Sequence, residues 1–260
     1  MNAVANTKFL RPDEQAFTRL ELVVVVFVIA LLTGTIFPGL ANSGMNNRRL
    51  VCTNNLKQMG AATTMYANDN NDYLALPNWA FDFPGWLFAP TNGTVPDPTT
   101  PKYSNDVSAA YSPGLWYPYV RNPKSYLCAV DIESPFYSSR INKLCSYVMN
   151  GAVSGYASRP TGCKVTDVWS PKCYLLWGPD ENAQGFGNPG AFDFNDGANY
   201  PGFSERLEHL HAANGAEVLA VGGNVRFVSD QEFLAQANYV GTPQQPLGLS
   251  WWSPFTSGGH

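Results

Sequence analysis

The stretch "AFTRLELVVVVFVIALLTGTIFPGL", Ala16 to Leu40, decides how the rest of this 260-residue chain is read. Leu22 to Leu32 has no polar side-chain atom, and the apolar character continues to Leu40 with only Thr33, Gly34, Thr35, Pro38 and Gly39 breaking it. As a helix, Leu22–Leu40 spans about 28 Å at 1.5 Å per residue, close to the thickness of a hydrocarbon core. A four-valine run would put apolar groups on every face of such a helix. Yet Glu21 stands at its front edge, with Arg19 two residues before. A charge that close to lipid needs a partner or a purpose.

Two readings accommodate the segment. One is a secretory signal, with Lys8 and Arg11 ahead of the apolar run and the small-residue pattern Ala41-Asn42-Ser43 behind it. The other is a retained anchor cut between Ala16 and Phe17. Only the second explains Glu21. The cut would create an amine four residues before the carboxylate, and the two would pair, within one chain or between neighbouring copies.

Composition narrows the function classes. Charged residues make up 14% of the chain and hydrophobic ones 45%, with 23 Gly and 20 Pro. This describes a folded, loop-rich body rather than a disordered one. A net charge of −4 offers no basic field for nucleic acid. There is no Gly-x-Ser-x-Gly, no phosphate-cradling Gly loop and no motif with paired carboxylates, so nothing supports catalysis.

The helix is expected to continue beyond the apolar run. Cys52, Leu56, Met59, Thr63 and Tyr66 recur at helical spacing, with Asn55, Lys57 and Gln58 off the stripe. Asn68, Asp69, Asn70 and Asn71 then end it, because such residues favour turns. Pro38, which cannot donate to the carbonyl of Gly34, predicts a kink between them. The expected organisation is a leader over 1–16, a helix over 17–76 with an anchor at 20–40 and an amphipathic half at 45–70, and a globular domain over 77–260.

Residues 78–123 lose helical periodicity and are rich in Pro, Trp, Tyr and Asn. They read as a loop-rich insertion whose aromatics either pack or form a face for glycan or protein. Short β-type runs follow: "SYLCAV", "CSYVMNG", "KCYLLWG", "AEVLAVGG" and "NVRFVS". The last two read as a hairpin turning at Gly-Gly or Gly-Asn. Without helices between the strands an antiparallel sheet is expected. The predicted class is α+β: a long N-terminal membrane-spanning helix packed on a small antiparallel sheet with large loops.

"FTRLELVVVVFVIALLTGTIFPGLA" resembles the N-terminal segment of type IV pilins and type II secretion pseudopilins. "RRLVCTNNLKQMGAATTMYANDNNDYLALP", Arg48 to Pro77, extends the resemblance to the pseudopilin-like proteins of planctomycetes and verrucomicrobia. The resemblance implies cleavage between Ala16 and Phe17, N-methylation of Phe17, and Glu21 as the residue that guides a subunit into a filament. Ala16 stands where the family has Gly, and Arg19 where it has an aliphatic residue. "HAANGAEVLAVGGNVRF", His211 to Phe227, is similar to the family's terminal signature of a His followed by Asp-Gly, but Gly222, Gly223 and Asn224 replace the Asp-Gly-His.

Other chemistry is sparse. His209 and His211, with Glu205 and Glu208 nearby, are too few for a metal site by sequence alone. Asp193, Asn195 and Asp196 offer oxygen ligands for calcium in a Gly-containing loop, without the EF-hand spacing. Otherwise no cofactor is expected. Among five cysteines, Cys52 with Cys128 and Cys163 with Cys173 are disulfide candidates if the body faces an oxidising compartment, and the odd number leaves one thiol over.

The expected function is that of a non-enzymatic pseudopilin subunit in a type II secretion system or type IV pilus-like filament. Its partners would be other subunits, a prepilin peptidase, the inner-membrane assembly platform and the lipid bilayer. Its place would be the bacterial inner membrane as a single-pass protein, with the body in the periplasm or in an extracellular filament. The alternative is an anchored or secreted module that binds glycan or protein through the aromatic loops.

Overall fold

The structure is a computed structural model that describes residues 18–79, 82–180, 184–185, 188–189, 196–201 and 206–260. For 30–46, 184–185 and 188–189 only the backbone is described. The chain forms two compact units, Met1–Gly44 and Met45–His260. Helix α1, Arg19–Asp69, belongs to both and runs as helix through Gly34 and Pro38. The side chains around the expected kink lie outside the described residues.

In the first unit every described side chain of Leu20–Ile29 is exposed. No helix among the described residues is long and apolar enough to cross a membrane. This corrects the expectation of a membrane-spanning helix packed on the sheet.

The second unit is built on a sheet. Its strands are β1 (Val148–Asn150), β2 (Tyr174–Trp177), β5 (Ala198–Asn199), β6 (Gly215–Ala220) and β7 (Val225–Ser229), in the order β5-β1-β2-β6-β7. Between β2 and β5, Gln184–Gly185 (β3) and Asn188–Pro189 (β4) form a separate antiparallel pair. The β1–β2, β2–β6 and β6–β7 pairs are antiparallel, but β5 runs parallel to β1. The sheet is therefore mixed, not antiparallel as expected. A two-residue strand carries too little pattern to be read from sequence. It is held instead by the carbonyl of Gly197, which accepts from Met149 N at 2.9 Å and from Trp86 Nε1 at 3.1 Å.

Both faces of the sheet are covered. On one, Leu56, Met59 and Ala62 of α1 pack with Met149, Leu176 and Leu219. On the other, Val148, Trp177 and Val218 pack against Phe233 of α4, Asp230–Ala237. Neighbouring residues of one strand thus serve opposite cores, which is why "YLLW" reads as a continuous apolar run. The β6–β7 hairpin has the expected connection: Gly223 takes φ +83°, and Gly223 N donates to Ala220 O at 2.9 Å. Gly60 of α1 sits against this turn, since a Cβ there would meet Gly223 O and Leu219 Cδ1 at 3.0 Å each.

The α1 stripe is realised at Cys52, Leu56, Met59 and Thr63, all buried, with Tyr66 at its margin. Asn55 departs from the reading. It is buried on the packed face, where its amide donates to Leu127 O at 3.0 Å. The helix ends at Asp69, and Asn71 and Asp72 take positive φ, as the Asn-rich run predicts.

"SYLCAV" forms no strand. Pro123 opens a short 3-10 turn there, and Asn122 accepts from Lys124 N at 3.1 Å. The aromatic insertion supplies core rather than a surface. Trp86, Phe88, Tyr111 and Trp116 are fully buried, with Trp86 edge-on to Trp116 at 5.2 Å. Helix α2, Ser108–Tyr111, and helix α3, Tyr117–Val120, are single turns within that insertion.

Candidate functional site: two thiols and an imidazole between the helix and the body

Three segments distant in sequence meet in one cavity. Cys52 comes from α1. Cys128 follows the 3-10 turn at Pro123–Tyr126, its N–H donating to Ser146 Oγ at 2.9 Å. His211 comes from the turn before β6. The two Sγ atoms and a ring nitrogen of His211 all lie within 4.8 Å of one another. Among the described residues this is the only group of three such donors. Leu56, Tyr147, Gly178 and Glu208 line the same cavity, whose interior offers about 20 Å³ to the centre of a water-sized guest. That is room for one ion or one water.

Glu208 sets the imidazole. Its Oε1 lies 2.9 Å from His211 Nδ1, and its Oε2 accepts the backbone N–H groups of His211, at 3.2 Å, and of Leu210. The carboxylate is buried, and it fits because residue 178 is glycine: a Cβ there would lie 2.8 Å from Glu208 Cγ. Anchoring Nδ1 turns Nε2 toward the thiols, 3.4 Å from Cys128 Sγ. At the rim, Arg49 pairs with Glu217 at 2.7 Å and lies over the Phe227 ring.

The thiols share one polarised environment. A hydrogen bond from Cys128 holds the Cys52 thiol below its ordinary pKa despite burial. The same bond and burial push Cys128 up, so the second proton is far harder to remove than the first. Burial opposes a charged His211, but hydrogen bonds with Cys128 and Glu208 outweigh it and raise the imidazole to about 10. The cluster can bind a soft divalent cation through two sulfurs and Nε2, or join its sulfurs on oxidation.

All five cysteines are buried free thiols. Of the disulfide candidates, Cys52 and Cys128 are the pair brought into one cavity, and Cys163 and Cys173 lie within the main core. The two histidines do not act together. His209 Nε2 lies 3.0 Å from Asp230 at the start of α4, and apart from an isolated bridge at Leu207 the segment is not strand, so the rings share no face. Asp193, Asn195 and Glu205 lie outside the described residues. Asp196 accepts from Ala198 N at 2.8 Å in a turn leading into β5.

Ala16 and Phe17 also lie outside the described residues. Glu21 has a local role that the reading of its charge missed. Thr18 N and Oγ1 donate to its carboxylate at 2.8 and 2.9 Å, and Glu21 N donates back to Thr18 Oγ1 at 3.2 Å. This is a capping box, and its Thr-x-x-Glu signature is legible at Thr18–Glu21. The convergence of Cys52, Cys128 and His211 had no such local signal, because no two of them lie in one short motif. Comparison with protein-family models, with curated proteins and with solved structures finds no match to this chain.

Proposed function

We propose that this protein is a pseudopilin-type subunit of a type II secretion or type IV pilus-like filament, processed before Phe17 by a prepilin-type peptidase. The observation that carries the reading is the helix Leu20–Ile29, exposed on every described side chain and opened by a single carboxylate at Glu21. Exposed apolar surface this continuous marks an assembly surface. Its occupants in this reading are the same helices of neighbouring copies. Glu21 would then serve twice, capping its own helix and pairing with the amine of Phe17. The body, Met45–His260, would sit in the periplasm or on the filament surface, and the assembly platform of the inner membrane would be the partner during growth.

The capping box gives the test its resolution. Glu21→Gln keeps the box, since Gln serves at that position, but removes the charge. Glu21→Val removes both. In cells of the source bacterium, the mature native chain should begin with methylated Phe17, and both variants should lose sedimentable filaments while the chain accumulates normally. A native N-terminus at Gly44, or full assembly of the Gln and Val variants, overturns the reading.

A further inference from the structure

We propose that Cys52, Cys128 and His211 form a binding site for one zinc-like divalent cation, which fastens α1 to the sheet. This inference does not rest on the filament reading. A tetrahedral zinc with legs of about 2.3 Å to sulfur and about 2.0 Å to nitrogen separates its donors by about 3.5 Å for S···N and about 3.8 Å for S···S. Nε2 of His211 lies 3.4 Å from Cys128 Sγ, and all three donor atoms fall within 4.8 Å. The site therefore closes on a cation by movements of about an ångström.

The surroundings point the same way. A carboxylate on the far nitrogen of a ligating histidine is the usual outer support of a zinc site, and Glu208 holds Nδ1 at 2.9 Å. The Tyr147 hydroxyl is buried in the same cavity, beside Cys52 and Asn55. Two thiols and an imidazole select zinc-like cations over calcium or magnesium, which require oxygen donors. Thiol and imidazole nitrogen ligate a cation only after losing their protons, so metal binding at this site releases protons.

The test uses the full chain, purified in detergent under reducing conditions and titrated with cobalt(II) as the probe. One cobalt per chain should bind, with intense sulfur-to-metal charge-transfer absorption and tetrahedral d–d bands, both erased by stoichiometric zinc. Cys52→Ser, Cys128→Ser and His211→Ala should abolish the charge-transfer signature or alter it. Cys163→Ser and Cys173→Ser should leave it intact. Glu208→Gln should weaken binding about 10- to 100-fold. Where a cysteine variant fails to fold by near-ultraviolet circular dichroism, the Glu208→Gln affinity and the release of protons by the native chain on metal binding decide. Absence of the thiolate band from the folded, reduced native chain overturns the assignment, and so does a Cys52–Cys128 disulfide mapped in chain isolated without reductant.

Discussion

The two halves of α1 carry their apolar side chains to opposite ends. In Leu20–Ile29, Phe27 is 63% exposed and Val26 58% exposed. In Cys52–Ala67, Leu56 is 1% exposed and Met59 0% exposed. The difference lies in arrangement. The first half is apolar all round, so no single face of a small sheet could cover it. The second gathers most of its apolar groups on one stripe, where β2, β6 and the aromatic insertion cover Leu56, Met59 and Ala62. A helix segment apolar on every face requires surroundings on every face, whereas a stripe is satisfied within its own chain.

Paired substitutions in the two halves break or sharpen this contrast. The largest effect is expected from Met59→Ala, which leaves a cavity in the main core and should cost about 2–5 kcal/mol. Val26→Ala should move stability by less than about 0.5 kcal/mol. Denaturant midpoints of the full chain in detergent, followed by near-ultraviolet circular dichroism, measure both. Equal shifts would mean that the apolar half is also part of the core.

A smaller effect follows at the helix–hairpin contact. Gly60→Val drives side-chain atoms into the Gly223 carbonyl and Leu219, for a cost of about 1–3 kcal/mol. Ala61→Val, on the exposed side of the same turn, should be nearly neutral in the same melts. If the two cost the same, the close seat of α1 on the hairpin is wrong.

The smallest effect compares two caps with one chemistry. Ser229 Oγ accepts from Glu232 N at 3.1 Å and starts α4, which packs on the sheet. Ser229→Ala should lower stability by about 1 kcal/mol. Thr18→Ala removes an equivalent cap from the unpacked half, so it should fray that terminus locally and leave the midpoint of the body unchanged. Amide hydrogen exchange near residue 20 beside the global midpoint separates the two outcomes.

Local features were legible in the residues themselves. The buried stripe from Cys52 to Thr63, the Asn-rich helix end, strands β1, β2, β6 and β7, and the glycine turn of the hairpin each follow from periodicity or turn chemistry within a few positions. Two helix starts, Thr18-x-x-Glu21 and Ser229-x-x-Glu232, were equally legible, although the first was hidden behind the interest of its charge. Tertiary structure alone decided the rest. The parallel strand β5 is two residues long and exists because Gly197 reaches both Met149 and Trp86. The aromatic insertion turned inward because the sheet had a face to fill. Cys52, Cys128 and His211 became one site because burying the stripe of α1 carries Cys52 to the loop that holds Cys128, and Glu208 turns His211 toward both. Contacts of that kind depend on loops closing over long sequence distances, and no short-range pattern encodes where such loops will meet.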